Sequence, residues 1–485
     1  MTIAHPSRTE PVNGRHVPTR ARRPVDDSRS QPHTRHHDFL LLTQDLAGTH
    51  PFRSVVAARR GGWIGHSTTM STAEPATYHD EICAHPVPLN PTDLDAHLTG
   101  QCATSITDVY LDAAAPAFKT AWEDAYRAVN TRFADAAAEQ AATGGVALVV
   151  GHQLQLVPAM LRQRRPDLLI AFFLDLPFPP GEVYRRMPLR HEILDGVLGA
   201  DLIGFQTRRS ADNFRRLAVD DADIQLGPGG MDVDGRAVGV GVFPQSVDGS
   251  TLRASATQLD NHNRVRALRA GLGDPRRILL AVDDMHDAAG IEHRLAAYEL
   301  LLDGGDIDPR DTVLIQIVRP DPLRSARSHE LRARIEHRVG LINGRHGEVG
   351  RPALQYQHRS PDPAELVALY TAADVLWATP LQAGTSLPAQ EYVATRADNS
   401  GVVILSEFCG AVEELVDADV ANPYDVNDLR RAVLQALRDG SPDRRRRMAA
   451  MRRHVQTHDV HHWAGTLLAT LGQSVTVPHA VADRR

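Results

Sequence analysis

Cysteine is scarce in this 485-residue chain, and long apolar runs and any surplus of positive charge are missing. Its 3 cysteines, Cys83, Cys102 and Cys409, lie too far apart for a disulfide framework or for the short spacings of a metal motif. A reducing, cytoplasmic compartment is therefore expected. No apolar run approaches a membrane-spanning length, so no membrane partner is expected. A formal net charge of -7, with no basic domain, argues against a nucleic-acid partner. No internal repeat of about 20–50 residues is visible, which excludes a solenoid.

Residues 1–36 also lack something: aliphatic side chains. They are rich in Arg, His, Pro, Ser and Thr and contain no apolar core of a secretory signal. The composition predicts a disordered tail, with contact to an anionic partner as the alternative. Residues 474–485 read as a second short tail.

What is present is a chain with 42% apolar residues, long enough for two ordinary domains. Its clearest stretch is Leu168 to Gln206, LLIAFFLDLPFPPGEVYRRMPLRHEILDGVLGADLIGFQ. A short apolar run, Leu168–Leu174, suits a buried strand. Pro177, Pro179 and Pro180 then interrupt regular structure. A helix is expected from near Gly181, a second around Ile193–Leu198, and another strand over Asp201–Phe205. Such βα alternation implies a parallel sheet, with ligands bound in loops after the strands' C-terminal ends.

The same reading extends outward. Strands are expected at Phe39–Thr43, Gly61–Gly65 and Val146–Val150, and extended chain or an edge strand at His85–Leu89. Helices are expected at Arg53–Ala58, Ala114–Ala141 and Leu154–Arg164. In the second half, strands are expected at Arg277–Val282, Thr312–Val318, Leu354–Gln357, Val375–Trp377 and Val402–Ser406. Helices are expected at Glu330–Ile342, Pro363–Ala372, Leu387–Arg396, Asp428–Arg438 and Asp443–His454. The fold class is thus α/β, with two Rossmann-like, doubly wound domains facing a cleft. The expected divisions are 37–245 and 246–455, with a terminal helix at 456–473 returning to the first domain.

Several blocks carry a resemblance: FFLDLPFPPGEVYRRMPLRHEILDGVLGADLIGFQT, INGRHG at Ile342–Gly347, ADVLWATPLQAGTSLPAQEYVA at Ala373–Ala394, SEFCGA at Ser406–Ala411 and NPYD at Asn422–Asp425. Together the chain, from about Asp38 to Leu471, resembles the trehalose-6-phosphate synthases. These are retaining glycosyltransferases of the GT-B fold. The resemblance implies a nucleotide sugar and a sugar phosphate as substrates, with no cofactor and no metal. It also allows a homo-oligomer or a family-related partner.

Position by position, however, the motifs that carry the family's chemistry differ. Where the family has a serine-asparagine-arginine run and a Gly-Gly loop, this chain has Thr43, Gln44 and Asp45, then Gly48, Thr49 and His50. The tryptophan-proline-leucine-tyrosine-histidine run becomes Thr107, Asp108, Val109, Tyr110 and Leu111, so only Tyr110 is left as an acceptor-binding candidate. The run containing the acceptor-binding aspartate becomes Val150, Gly151, His152 and Gln153. His152 is either a displaced replacement or a packing histidine. Asp175 stands where the family has a histidine beside the donor sugar, and is the one catalytic candidate. The family's diphosphate-gripping arginine and lysine map onto Asp284 and Ala289. Two cations are lost and an anion gained, where loss of one preorganised donor costs about 100- to 1000-fold in rate. Ala383 replaces the aspartate that touches the glucose hydroxyls.

Other positions match: Gly384, Leu387, Glu391 and the run His358, Arg359 and Ser360 near the base. Gly384, Ser386, Leu387 and Glu391, with His358 and Arg359, are the expected nucleotide-sugar contacts. Gly384 and Leu387 keep a loop whose backbone N–H groups could face an anion. Arg319, Arg324 and Arg327 either supply phosphate contacts from shifted positions, Arg324 being the acceptor-side candidate, or form a solvated loop. Asp283, Asp284, His286 and Asp287 either hold a divalent ion or make a solvated acidic turn. His454, His458, His461 and His462 belong to terminal helices and are expected to pack. Two functions compete: retaining glycosyl transfer with altered substrates, and a non-catalytic interaction or regulatory protein on the same fold.

Overall fold

The computed structural model describes residues 36–474 except 47–51, 68–76, 80–81, 113–114, 223, 228–229, 321–324 and 439–441. The expected tails, the loop of Gly48, Thr49 and His50, and Arg324 lie outside the described residues.

Two sheets organise the rest. The first contains β1 (His37–Asp45), β2 (Gly62–His66), β3 (Thr77–His79), β4 (Ile82–Pro86), β5 (Ala141–Val150), β6 (Leu169–Leu174), β7 (Leu202–Phe205), β8 (Gln225–Gly227), β9 (Gly230–Val233) and β10 (Arg236–Val242). Its order is β3-β4-β2-β1-β5-β6-β7-β10-β9-β8. The strands from β4 to β10 pair in parallel, while β3 and the β9–β8 ribbon add antiparallel edges. The second sheet is parallel throughout: β11 (Arg277–Asp284), β12 (Thr312–Arg319), β13 (Leu354–His358), β14 (Val375–Ala378), β15 (Val402–Ser406) and β16 (Asp419–Ala421), in the order β13-β12-β11-β14-β15-β16. The fold is α/β with two Rossmann-like sheets of GT-B type. Strand order reverses at the β1–β5 and β11–β14 pairs, and the crevice outside such reversals is where open parallel sheets bind ligands.

The strands form where buried on both faces. In β6 every residue from Ile170 to Leu174 is buried, which is why it reads as one apolar run rather than an alternation. Phe243 is buried with the first sheet and Val247 with the second. No described helix is long and apolar enough to cross a membrane.

Several elements differ from the sequence expectation. The Ala-rich helix runs Thr120–Gln140, starting beyond Pro116 and ending where β5 begins, five residues before the apolar VALVV segment. The expected helix at Leu154 is a short 3-10 turn, His152–Leu154, followed by Val157–Arg164, with Pro158 in its first turn. The helix at Gly181 is a single turn, Gly181–Tyr184. Pro188 explains this, because the residue before a proline is pushed out of helical conformation. A π-helix at Ala96–Thr107 and the β9–β10 ribbon carried no clear period in the sequence, while the helix Arg208–Ala222, whose Ala211, Phe214, Leu217 and Ala218 share a buried face, was not among the expected elements.

The last helix, Val460–Ser474, packs on the first sheet although it follows the second. Trp463 stacks on Phe52 with ring centroids 4.5 Å apart, meets Phe173 edge-on, and donates its indole N–H to the Phe243 carbonyl at 2.9 Å. Trp463→Ala removes both the apolar surface and the donor, and is expected to destabilise the first-sheet half by about 3–5 kcal/mol. Urea unfolding should show an earlier first transition, whereas Trp463→Phe should recover most of the loss. Equal effects of the two variants would contradict this account.

Candidate functional site

The reversal point of the second sheet ends in carboxylates. Asp283 and Asp284 are adjacent at the end of β11, so their side chains leave on opposite faces. Asp283 turns inward and is met by the fully buried Arg294, at 2.5 Å, and by the Gln316 amide at 2.7 Å. Asp284 pairs in register with Arg319 on β12, and the guanidinium donates to both its oxygens at 2.7 and 3.0 Å. Asp287, in the following turn, accepts from Arg327 at 2.5 Å and Arg334 at 3.2 Å. Among the described residues the acidic run therefore forms separate ion pairs rather than one converging set of ligands, with Asp283 enclosed and Asp284 exposed. Each of these aspartates has its own arginine.

Arg327 does more than neutralise Asp287. It lies in the first turn of the helix Ala326–His346 and donates a second bond, 2.7 Å long, to Asp108 of the first half. Asp108 is buried, and burial pushes its carboxyl up to about 6; Arg327 pulls it down, Asp287 pushes it up. Arg327 is thus neither a shifted phosphate ligand nor part of a solvated loop in this arrangement. It bridges carboxylates of both halves.

Beside Arg319 opens a cavity of about 670 Å³, walled by Asn261, Ser360, Leu366, Tyr370 and Glu391. Glu391 sits in its wall, where the Tyr370 hydroxyl donates to the carboxylate at 2.7 Å. Burial raises the Glu391 carboxyl, against the opposing pull of Tyr370 and Arg319. Arg319 keeps its charge more firmly than usual: burial works against it, but Asp284 outweighs that. His358 and Arg359 do not line this cavity. Arg359 is held by the Glu365 carboxylate and donates to the Gln357 amide oxygen at 2.7 Å, and the His358 ring is pushed down by burial and by Arg332.

A second cavity of about 420 Å³ lies between the halves, between the Pro177–Pro180 turn, Tyr110 and Arg209 on one side and Ala383, Glu407 and Phe408 on the other. Tyr110 is fully buried and its hydroxyl donates to Gln155 at 2.7 Å, so it offers this cavity ring surface rather than a free hydroxyl. Asp175 faces His152 instead, with Oδ1 3.8 Å from Nδ1, while His152 Nε2 lies 3.1 Å from the Thr107 hydroxyl. The Tyr126 hydroxyl and the Gln155 amide fix the His152 backbone carbonyl at 2.7 and 3.1 Å. His152 is therefore a buried, positioned residue.

The retained loop Gly384–Leu387 packs closely. A Cβ at Gly384 would stand 2.7 Å from the Asp175 carbonyl oxygen, so only glycine lets the two halves' loops touch here. Ser386 caps the helix Leu387–Thr395, accepting from the Ala389 N–H at 3.3 Å, and Leu387 packs against the second-sheet core. The four terminal histidines form no metal group. His454 stacks on His458 at 4.3 Å, and His458 meets His462 edge-on.

Sequence reasoning missed Arg294, Asp108 and Tyr370. An arginine in the first turn of the helix that follows the acidic strand end was the available signal for Arg294. It also missed that Lys119 is the chain's sole lysine. Lys119 lies over the Trp122 ring at 4.5 Å. No other lysine exists to replace the cation expected at Ala289.

Comparison with known proteins fits this geometry. The family model for glycosyltransferase family 20 matches residues 15–473. The trehalose-6-phosphate synthase of Mycobacterium sp. (strain JLS) is 42% identical over 426 residues, covering 86% of this chain and 88% of that one. That of Mycobacterium tuberculosis (strain ATCC 25618 / H37Rv) is 41% identical over 435 residues, covering 86% and 87%. Among solved structures, a UDP-forming α,α-trehalose-phosphate synthase from Burkholderia xenovorans superposes with a TM-score of 0.84 at 26% identity, covering 91% of this chain and 100% of that one. The E. coli protein bound with UDP-2-fluoro glucose gives 0.83 at 25% identity, covering 90% and 99%. Sequence and fold agree: this chain belongs to glycosyltransferase family 20, as a protein of the trehalose-6-phosphate synthase type.

Proposed function

We propose that this protein binds a nucleotide sugar in the cavity beside Glu391 but does not by itself carry the family's transfer reaction, serving instead as a binding or regulatory member of the family. The observation that carries this reading is the pairing at the end of β11. Where the resemblance implies cations for the donor's diphosphate, the chain places Asp284, and Arg319 is committed to it. Developing charge on a leaving diphosphate needs preorganised cations in the closed cleft. Arginines already held by carboxylates would have to break those bonds first.

The nucleotide end is better supported. Glu391 and Tyr370 present a hydrogen-bonding pair suited to sugar hydroxyls in a cavity large enough for a nucleoside. The E. coli relative was crystallised with UDP-2-fluoro glucose, which favours a uridine nucleotide as the first ligand to test.

A second reading stays open because Arg319 lines the same cavity as Glu391. If a bound diphosphate drew Arg319 from Asp284, one cation would be restored. Retaining transfer to a sugar phosphate would then proceed with the leaving phosphate taking the acceptor hydroxyl's proton.

Titration calorimetry with UDP-, GDP- and ADP-glucose, followed by an assay for nucleotide release with glucose 6-phosphate, separates the readings. Saturable binding without release above the uncatalysed rate is expected. Release that requires the acceptor would establish transfer, and absence of binding to all three would sink both readings. Glu391→Gln is expected to weaken nucleotide-sugar binding about tenfold or more, since hydrogen bonds to a charged group contribute about 1.5–3 kcal/mol.

The bridge makes a pH prediction. The Asp108 carboxyl stands above its ordinary value in the folded chain, at about 6. Its contribution to stability is therefore present below the unfolded carboxylate range and lost as pH rises through about 6. Relative to Asp108→Asn, which does not titrate, the wild type should lose on the order of 2 kcal/mol between pH 4 and pH 7. A stability difference that stays constant across that range would refute the assignment. Arg327→Gln, read at pH 7.5, should cost about 1–3 kcal/mol by leaving buried Asp108 without its cation.

A further inference from the structure

Away from the cleft, the first sheet gathers one group of soft ligands. His37 begins β1, and Cys83 and His85 lie two apart on β4, so their side chains leave that strand on the same face. Between them runs β2, and the residue that faces both is Gly62, paired with Cys83 on one side and Leu40 on the other. A Cβ at Gly62 would stand 2.7 Å from the His37 ring, so the missing side chain is what lets that ring lie over β2 and reach β4. The imidazoles meet at 73° with Nε2 atoms 2.9 Å apart, and both nitrogens and the Cys83 sulfur lie within 4.8 Å of one another.

We infer that His37, Cys83 and His85 form a binding site for a transition-metal ion of the zinc class, held by one thiolate and two imidazoles. The donor set is that of a borderline-soft divalent ion. With bonds of about 2.0–2.1 Å to nitrogen and about 2.3 Å to sulfur, a tetrahedral ion would set the nitrogens about 3.4 Å apart and the sulfur about 3.6 Å from each, so the imidazoles must part from 2.9 Å and the side chains close around the ion. His37 and Cys83 are buried, whereas His85 is partly exposed, which leaves a fourth position open to water. Cysteine spacing alone offers no metal framework, because the ligands come from two strands that are not neighbours. The Cys-x-His pair on β4 was the local trace. A bound ion would staple β4 to β1 across β2.

The test uses the full chain, stripped with a chelator and titrated with Co²⁺. One equivalent should produce a thiolate-to-cobalt charge-transfer band in the near ultraviolet, together with visible d–d bands, and Zn²⁺ should displace both. Cys83→Ser should abolish the charge-transfer band, while Cys102→Ser and Cys409→Ser keep it. His37→Gln and His85→Gln should weaken Co²⁺ binding by at least about tenfold. Circular dichroism checks that each variant is folded. Zn²⁺ should also raise the melting temperature of the wild type but not that of Cys83→Ser. A folded wild type without a thiolate band, or a band that survives in folded Cys83→Ser, would overturn the site.

Discussion

A carboxylate enclosed at a strand end cannot stay charged without a partner, and around Asp283 the candidate site is shaped by how it and the neighbouring Asp284 and Asp287 are matched. Asp283 is enclosed and takes the most buried cation of the second half, Arg294, with Gln316 completing its shell. An unpaired charge there would be strongly destabilising. Asp284, on the exposed face, takes Arg319 from the next strand in register. Asp287 takes Arg327 and Arg334 from the helix that follows β12. Asp284 is thus one part of a set of paired carboxylates, and its pairing fixes where Arg319 points.

The bridge of Arg327 to Asp108 extends this set across the cleft. Arginine suits that role because its planar fork donates in two directions at once, one nitrogen to each carboxylate. A single ammonium could carry the charge but not the same geometry, and this chain has almost no lysine to offer. The halves are held together by side-chain charge at this point, whereas at Gly384 they meet through backbone.

Much of the fold was legible because buried parallel strands read as short apolar runs. FLLLT, VALVV, LLIAFFL, RILLAV and TVLIQIV each became a central strand. Elements without such runs were not legible. The π-helix at Ala96–Thr107 mixes polar and small residues and has no 3.6-residue period, and the β9–β10 ribbon is glycine-rich. For the site, the sequence names Asp284, Arg319, Arg327 and Asp108 but not how they pair. Asp284 and Arg319 are neighbours only through strand pairing, and Arg327 and Asp108 only through the packing of the two halves. Those proximities belong to tertiary structure, as does the meeting of His37 with Cys83 and His85.

The same distinction bears on the resemblance: the blocks around Leu176–Pro180 and Gly384–Leu387, which resemble the family's, lie where the two halves meet. The Gly384 backbone presses on the Asp175 carbonyl, and Gly410 presses in turn on the Gly384 carbonyl, where a Cβ would come within 1.9 Å. Such contacts constrain the backbone and demand glycine, yet they leave the side chain at 175 free to change. Asp175 directs its carboxylate toward His152, away from the backbone contact. The Ala383 backbone also joins this contact, its carbonyl accepting from the Gly410 N–H at 3.0 Å. Retention of these loops therefore follows from the fit between the halves. It would persist in a member that binds without transferring as readily as in one that transfers, and so the similarity of these blocks bears on the fold while the pairing of the arginines bears on the reaction.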